Sequence, residues 1–146
     1  MSGDNEKIPK TLSMNECFVC SPSNLHGLRL SFSLDASGTA RAPAHISADY
    51  QGFHGVLHGG VVAALMDDAM WYAIFGTGHV VAMTADLQVR YHHPVPVEED
   101  IAIAGWVVSI KHRLIEAQAE IRQGADKLAS AHARFLAVAP APVDSD

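Results

Sequence analysis

The chain has 146 residues, 49% of them hydrophobic and 18% charged, with a formal net charge of −6 and a pI of about 5.8. This suits one domain with a real core, excludes disorder, and leaves no basic stripe for a nucleic-acid partner. A polar N-terminus without an apolar leader, an apolar run cut by two aspartates, and two cysteines three apart lead us to expect a cytoplasmic protein with no membrane span and no disulfide framework.

In chain order, residues 1–16 read as an N-terminal extension, 17–139 as one domain and 140–146 as a tail. A short helix is expected within 11–20. Residues 28–34 (L-R-L-S-F-S-L) alternate apolar and polar, the period of a half-buried strand. Asp35-Ala-Ser-Gly38 is a turn signal, and 39–46 the partner strand. Residues 47–57 are irregular and glycine-bearing. They lead into the longest apolar run, H-G-G-V-V-A-A-L-M-D-D-A-M-W-Y-A-I-F over 58–75.

That run predicts a helix entered through Gly59 and Gly60 and ended by Gly76-Thr-Gly78. It is apolar all round, so it is buried. Asp67 and Asp68 sit in its middle, and a buried carboxylate needs a partner or a task. At its start, free backbone N–H groups and the positive end of the dipole favour an oxyanion.

Four strand signals follow. Residues 83–91 place Ala85, Leu87, Val89 and Tyr91 on one face and Thr84, Asp86, Gln88 and Arg90 on the other. Residues 101–110 are apolar on both faces, the pattern of a central strand or a subunit contact. Residues 114–122 alternate, Gly124-Ala-Asp126 turns the chain, and 128–138 present the small face Ala129, Ala131, Ala133 and Phe135. The order is ββ, one helix, then ββββ by short links, which implies an α+β domain with a curled antiparallel sheet wrapped round one long helix.

This order, with G-V-L-H-G-G-V-V-A-A-L-M-D-D at 55–68, resembles the hotdog-fold acyl-CoA thioesterases of the phenylacetate-pathway and 4-hydroxybenzoyl-CoA type. Supporting stretches are M-T-A-D-L-Q-V-R-Y-H-H-P-V-P, A-S-A-H-A-R-F and, upstream, C-F-V-C-S-P-S-N-L-H-G-L-R-L-S-F. The resemblance implies that Gly59 N–H polarises a thioester carbonyl and that Asp67 attacks it or activates water. It implies that Thr84 places the carboxylate or the water, and that His58 is the motif histidine. Some relatives carry an asparagine where this chain has Gly52, so Gln51 or His54 is expected to supply a polar group instead. Gly60 completes the helix entrance.

The chemistry needs a nucleophile and a place for the carbonyl charge. No Gly-x-Ser-x-Gly elbow is present, and a carboxylate with a helix-start N–H supplies the minimum set. Gly59 and Asp67 lie roughly 12 Å apart along a helix axis, too far to serve one thioester. A homodimer with composite sites at the subunit interface, alone or as a dimer of dimers, is therefore expected. The bland readings stay beside these: Asp67 as a paired helix carboxylate, His58 as a cap, Thr84 as a strand threonine. Asp68 is read as a structural pairing.

Arg113, at a strand turn, is the residue chosen for coenzyme A phosphates, with a solvated strand end as its plain alternative. Cys17-x-x-Cys20 with His26 invites zinc, but a fourth ligand is not visible and the nine histidines are scattered, so no metal is expected. No cofactor is expected beyond the coenzyme A of the substrate itself. The alternative functions are a non-catalytic acyl-CoA binding module and a hotdog dehydratase.

Overall fold

The computed structural model describes residues 16–78 and 81–139. One helix, α1 (Gly59–Gly76), lies in the curl of a six-stranded sheet. The strands are β1 (Ser33–Leu34), β2 (Ala40–His45), β3 (Val81–Tyr91), β4 (Asp100–Lys111), β5 (Leu114–Gln123) and β6 (Asp126–Ala139). A 3₁₀ turn at Ala48–Tyr50 precedes the helix. Among the described residues no helix is long and apolar enough to cross a membrane.

The spatial order is β1-β2-β4-β5-β6-β3, with every neighbouring pair antiparallel. This corrects one inference from the short links. β3 and β4 are consecutive in sequence but not paired; β3 crosses the sheet to pair with β6, and β4 pairs with β2. The expected strand over 28–34 enters the ladder only at Ser33 and Leu34; upstream, Leu28 and Leu30 donate backbone N–H bonds to Phe18 and Val19. The expected helix within 11–20 falls partly outside the described residues, and the described part, 16–20, is turn.

The sheet is built to receive the helix. In one row across the strands, Ala40 faces Gly105, Gly105 faces Ala119, and Ala119 faces Ala131, all buried. Small side chains here let the helix backbone approach. The closest point is Gly105, where an added Cβ would stand 2.7 Å from the carbonyl carbon of Ala69 and 2.8 Å from Met70 N. Around this row pack Val62, Leu65, Met66, Met70, Ile74 and Phe75, with Ile103, Ile115, Ile121 and Phe135 from the sheet. Each such buried side chain contributes roughly 1.5–3 kcal/mol. Gly105→Ala should therefore destabilise the fold by about 1–3 kcal/mol, because backbone must move to admit one methyl. Urea unfolding checks this; a variant as stable as the parent would mean that the helix is not seated on Gly105.

The ends of α1 differ in how they are made. His58 is the N-cap, its side chain accepting from Gly60 N–H. The C-terminus was expected to stop through glycine geometry. Instead Thr77 stops it in a right-handed conformation, its N–H and its hydroxyl both donating to Ile74 O, at 3.0 and 2.7 Å. Glycine conformation matters elsewhere: Gly38 (φ 88°) and Gly124 (φ 61°) turn the β1–β2 and β5–β6 hairpins.

Candidate active site

β3 runs back along α1 and holds it at two points. Near the strand's start, Thr84 Oγ1 donates to Asp67 Oδ1 at 2.6 Å. At its end, the Tyr91 hydroxyl donates to Gly59 O at 2.6 Å. These bonds correct the expected faces of the strand. Thr84 was placed opposite Leu87, Val89 and Tyr91, but the ladder pairs Thr84 with Phe135 and Asp86 with Arg134, leaving Ala85 as a bulge. The extra residue shifts the alternation, so that Thr84 shares the helix-facing side with Leu87, Val89 and Tyr91.

Asp67 is partly buried, and burial pushes its carboxyl above the ordinary carboxylate range, with the Thr84 hydroxyl pulling the other way. Its only hydrogen bond among the described residues is the one from Thr84. The neighbour Asp68 points about 100° further round the helix. It is 4% exposed, with Oδ1 accepting from Cys17 Sγ at 3.5 Å, and burial pushes it up to about 8. Asp68 thus turns to Cys17, whereas Asp67 turns to Thr84.

The helix start opens into a cavity of about 630 Å³. Phe53, Val56, Leu57, Val62, Pro94 and Val95 give it apolar walls; Gly59, His58 and Tyr91 line its polar edge. The Gly60 N–H is taken by His58 Nδ1 at 2.9 Å, whereas the Gly59 N–H has no hydrogen-bond partner among the described residues. Among the glycine pair, Gly59 is therefore the free donor. His58 caps the helix and also borders the cavity.

The remaining expected residues separate. Gln51 turns its Oε1 to Gly55 N–H at 3.0 Å, and neither Gln51 nor His54 lines the cavity. Gly52 does line it, packed against His58. Arg113 lies at the Thr84 end of the sheet: Leu114 pairs with Leu136, next to the Ile115–Phe135–Thr84 row, and Arg113 Nε donates to Ala137 O. Asp67 and Gly59 of one chain do not meet, since the cavity at Gly59 does not include Asp67. Tyr91 was passed over in the sequence reading. Its signal is its position at the end of a strand that runs back to the helix entrance.

Among known families, the thioesterase superfamily matches residues 54–130, more than half of the chain. A solved thioesterase superfamily protein is similar at 28% identity and a TM-score of 0.78, covering 86% of this chain and 64% of that one. The chain thus spans a little under two thirds of that protein's length. The PaaI protein from the phenylacetic acid degradation operon of E. coli shares the fold, with 20% identity, a TM-score of 0.71, and 78% and 83% of the two chains covered. So does a Streptococcus mutans UA159 protein bound to acetyl CoA, with 17% identity, a TM-score of 0.70, and 81% and 98% covered. The fold these share is the expected hotdog fold. No curated protein matches.

Proposed function

This chain belongs to the thioesterase superfamily, and we propose that it hydrolyses an acyl-CoA to the free acid and coenzyme A. The observation that carries this reading is the 2.6 Å bond by which Thr84 aims a partly buried carboxylate, Asp67, that no cation neutralises among the described residues. In this reading Gly59 N–H accepts the developing charge of the carbonyl oxygen. Asp67 takes a proton from water as the water oxygen bonds to the carbonyl carbon, or attacks that carbon itself to give an anhydride that water then opens. In either case the C–S bond breaks and the coenzyme A sulfur leaves as thiolate, to be protonated. The apolar cavity beside Gly59 suits an acyl group, and acetyl CoA on a protein of the same fold supports the ligand class. Gly60 shapes the entrance. Arg113 is proposed for the coenzyme A phosphates, and Gln51 and His54 as loop contacts at the entrance.

The same reading calls for two chains. β3 has 11 residues and, among the described residues, only β6 as neighbour, so one row of its backbone groups lacks a strand partner there. If two copies pair antiparallel about Gln88, Leu87 of one faces Val89 of the other, and the bulge at Ala85 brings Thr84 of one opposite Tyr91 of the other. Thr84 holds Asp67 and Tyr91 holds Gly59, so each site takes its carboxylate from one chain and its N–H from the other. The proposed unit is a homodimer with two interface sites, alone or within a dimer of dimers.

A panel of aromatic, short and long acyl-CoAs with a thiol-trapping reagent tests the activity. A blank without substrate is needed, because Cys17 and Cys20 are free thiols. We expect release of coenzyme A at about 1 s⁻¹ or faster on the best acyl group. Tight binding of acyl-CoA without release would establish the non-catalytic binding module instead.

A further inference from the structure

Away from Asp67, the other aspartate of the pair sits in a separate cluster. We infer that Cys17, Cys20 and Asp68 form a buried site for a borderline-soft divalent cation, with zinc as the type ion. The two sulfurs and a carboxylate oxygen all lie within 4.8 Å of one another. Cys17 Sγ and Asp68 Oδ1 are 3.5 Å apart. Zinc bonds of about 2.3 Å to sulfur and about 2.1 Å to oxygen make a tetrahedral S···O edge of about 3.6 Å and an S···S edge of about 3.8 Å. The Cys17–Asp68 pair therefore already stands at the spacing that a shared cation needs.

The cysteine turn brings the two sulfurs together. Val19 N–H points at Cys17 Sγ at 3.4 Å. Backbone bonds hold the turn in place: Ser21 N–H to Cys17 O, Leu28 N–H to Phe18 O and Leu30 N–H to Val19 O. The Tyr72 hydroxyl is hydrogen-bonded to Cys20. Cys17 is partly exposed, so an ion has a way in.

The unpartnered oxygen separates this reading from a redox pair. Asp68 Oδ2 is fully buried and has no hydrogen-bond partner among the described residues, while the carboxyl also bonds Cys20, and Oδ1 accepts from the Cys17 thiol. A Cys17–Cys20 disulfide would remove that thiol hydrogen and leave the carboxyl still less satisfied. A divalent cation instead offsets two of the three negative charges of the thiolates and the carboxylate. Sulfur donors disfavour calcium and magnesium and favour zinc or cobalt. The sequence reading sought ligands near the cysteines; the third donor lies 51 residues from Cys17.

The test uses the full chain, reduced and freed of metal, titrated with Zn²⁺ and with Co²⁺. We expect one equivalent of zinc per chain by mass spectrometry of the metal, a higher melting temperature with zinc, and a thiolate-to-cobalt charge-transfer band. Asp68→Asn should weaken binding at least about tenfold, and the Cys17→Ser, Cys20→Ser double variant should abolish it and the thermal shift. The cobalt spectrum of the parent decides the matter should a variant fold poorly: absence of the charge-transfer band overturns the site. So does zinc held equally by the double cysteine variant, which would place the ion on the histidines.

Discussion

Asp67→Asn should lower kcat by at least about a hundredfold, some 2.7 kcal/mol of transition-state stabilisation, with the fold intact. The amide has the shape of the carboxyl and still accepts from Thr84, so what is lost is charge and basicity at one atom. A correctly folded Asp67→Asn protein with near-parental turnover would remove Asp67 from the chemistry. The pH profile of kcat/KM gives a second reading of the same group. Burial raises the Asp67 pKa and the Thr84 hydroxyl lowers it by bonding the ionised form. The active form is the ionised one, so activity falls as pH drops through that raised pKa. Thr84→Val should shift this acid limb to higher pH. A limb that stays in place would mean that another group sets it.

Mixing two dead variants should restore activity. Gly59→Val has room to fold: a Cβ at Gly59 would make ordinary contacts, 3.5 Å from the Tyr91 hydroxyl, while the branched side chain crowds the free N–H. Asp67→Asn removes the other half of the site. In a heterodimer of the two, one interface site carries both lesions and the other carries neither. Each heterodimer should recover about half the activity of a parent dimer, and random mixing, with half of the dimers mixed, about a quarter. Co-expression with two different tags, so that heterodimers are purified through both, measures this directly. If the heterodimers form and stay inactive, each site is built within one chain.

Much of the fold was legible because periodicity reports burial directly. The all-round apolar run could only be a buried helix, and the small face Ala129, Ala131 and Ala133 belongs to the sheet surface beneath it. Pairing order was less legible: alternation tells which face of β3 is buried but not whether β4 or β6 lies beside it. Likewise, the run over 28–34 alternates well, yet Leu28 and Leu30 spend their N–H groups on the cysteine turn rather than on a strand. At the candidate site, Gly59, Asp67 and His58 were visible as a motif on one helix. The roles of Gln51 and Tyr91 were not, because each depends on a contact: Gln51 with its own loop, Tyr91 with a carbonyl on a distant element. Asp68 is the plainest case. Its sequence neighbour is Asp67, and its physical neighbours are two cysteines.

The bulge at Ala85 makes the length of β3 a more tightly held property than its composition. Upstream and downstream of that residue the strand runs in two different phases, and only the extra position lets Thr84 and Leu87 look the same way. Conservative exchanges at exposed positions such as Gln88 or Arg90 leave this arrangement alone. Gaining or losing a single residue between Thr84 and Asp86 exchanges inside for outside over one half of the strand. In a lineage of such chains, drift can rewrite the letters of this segment far more freely than its count, and an insertion or deletion there amounts to a change of trade.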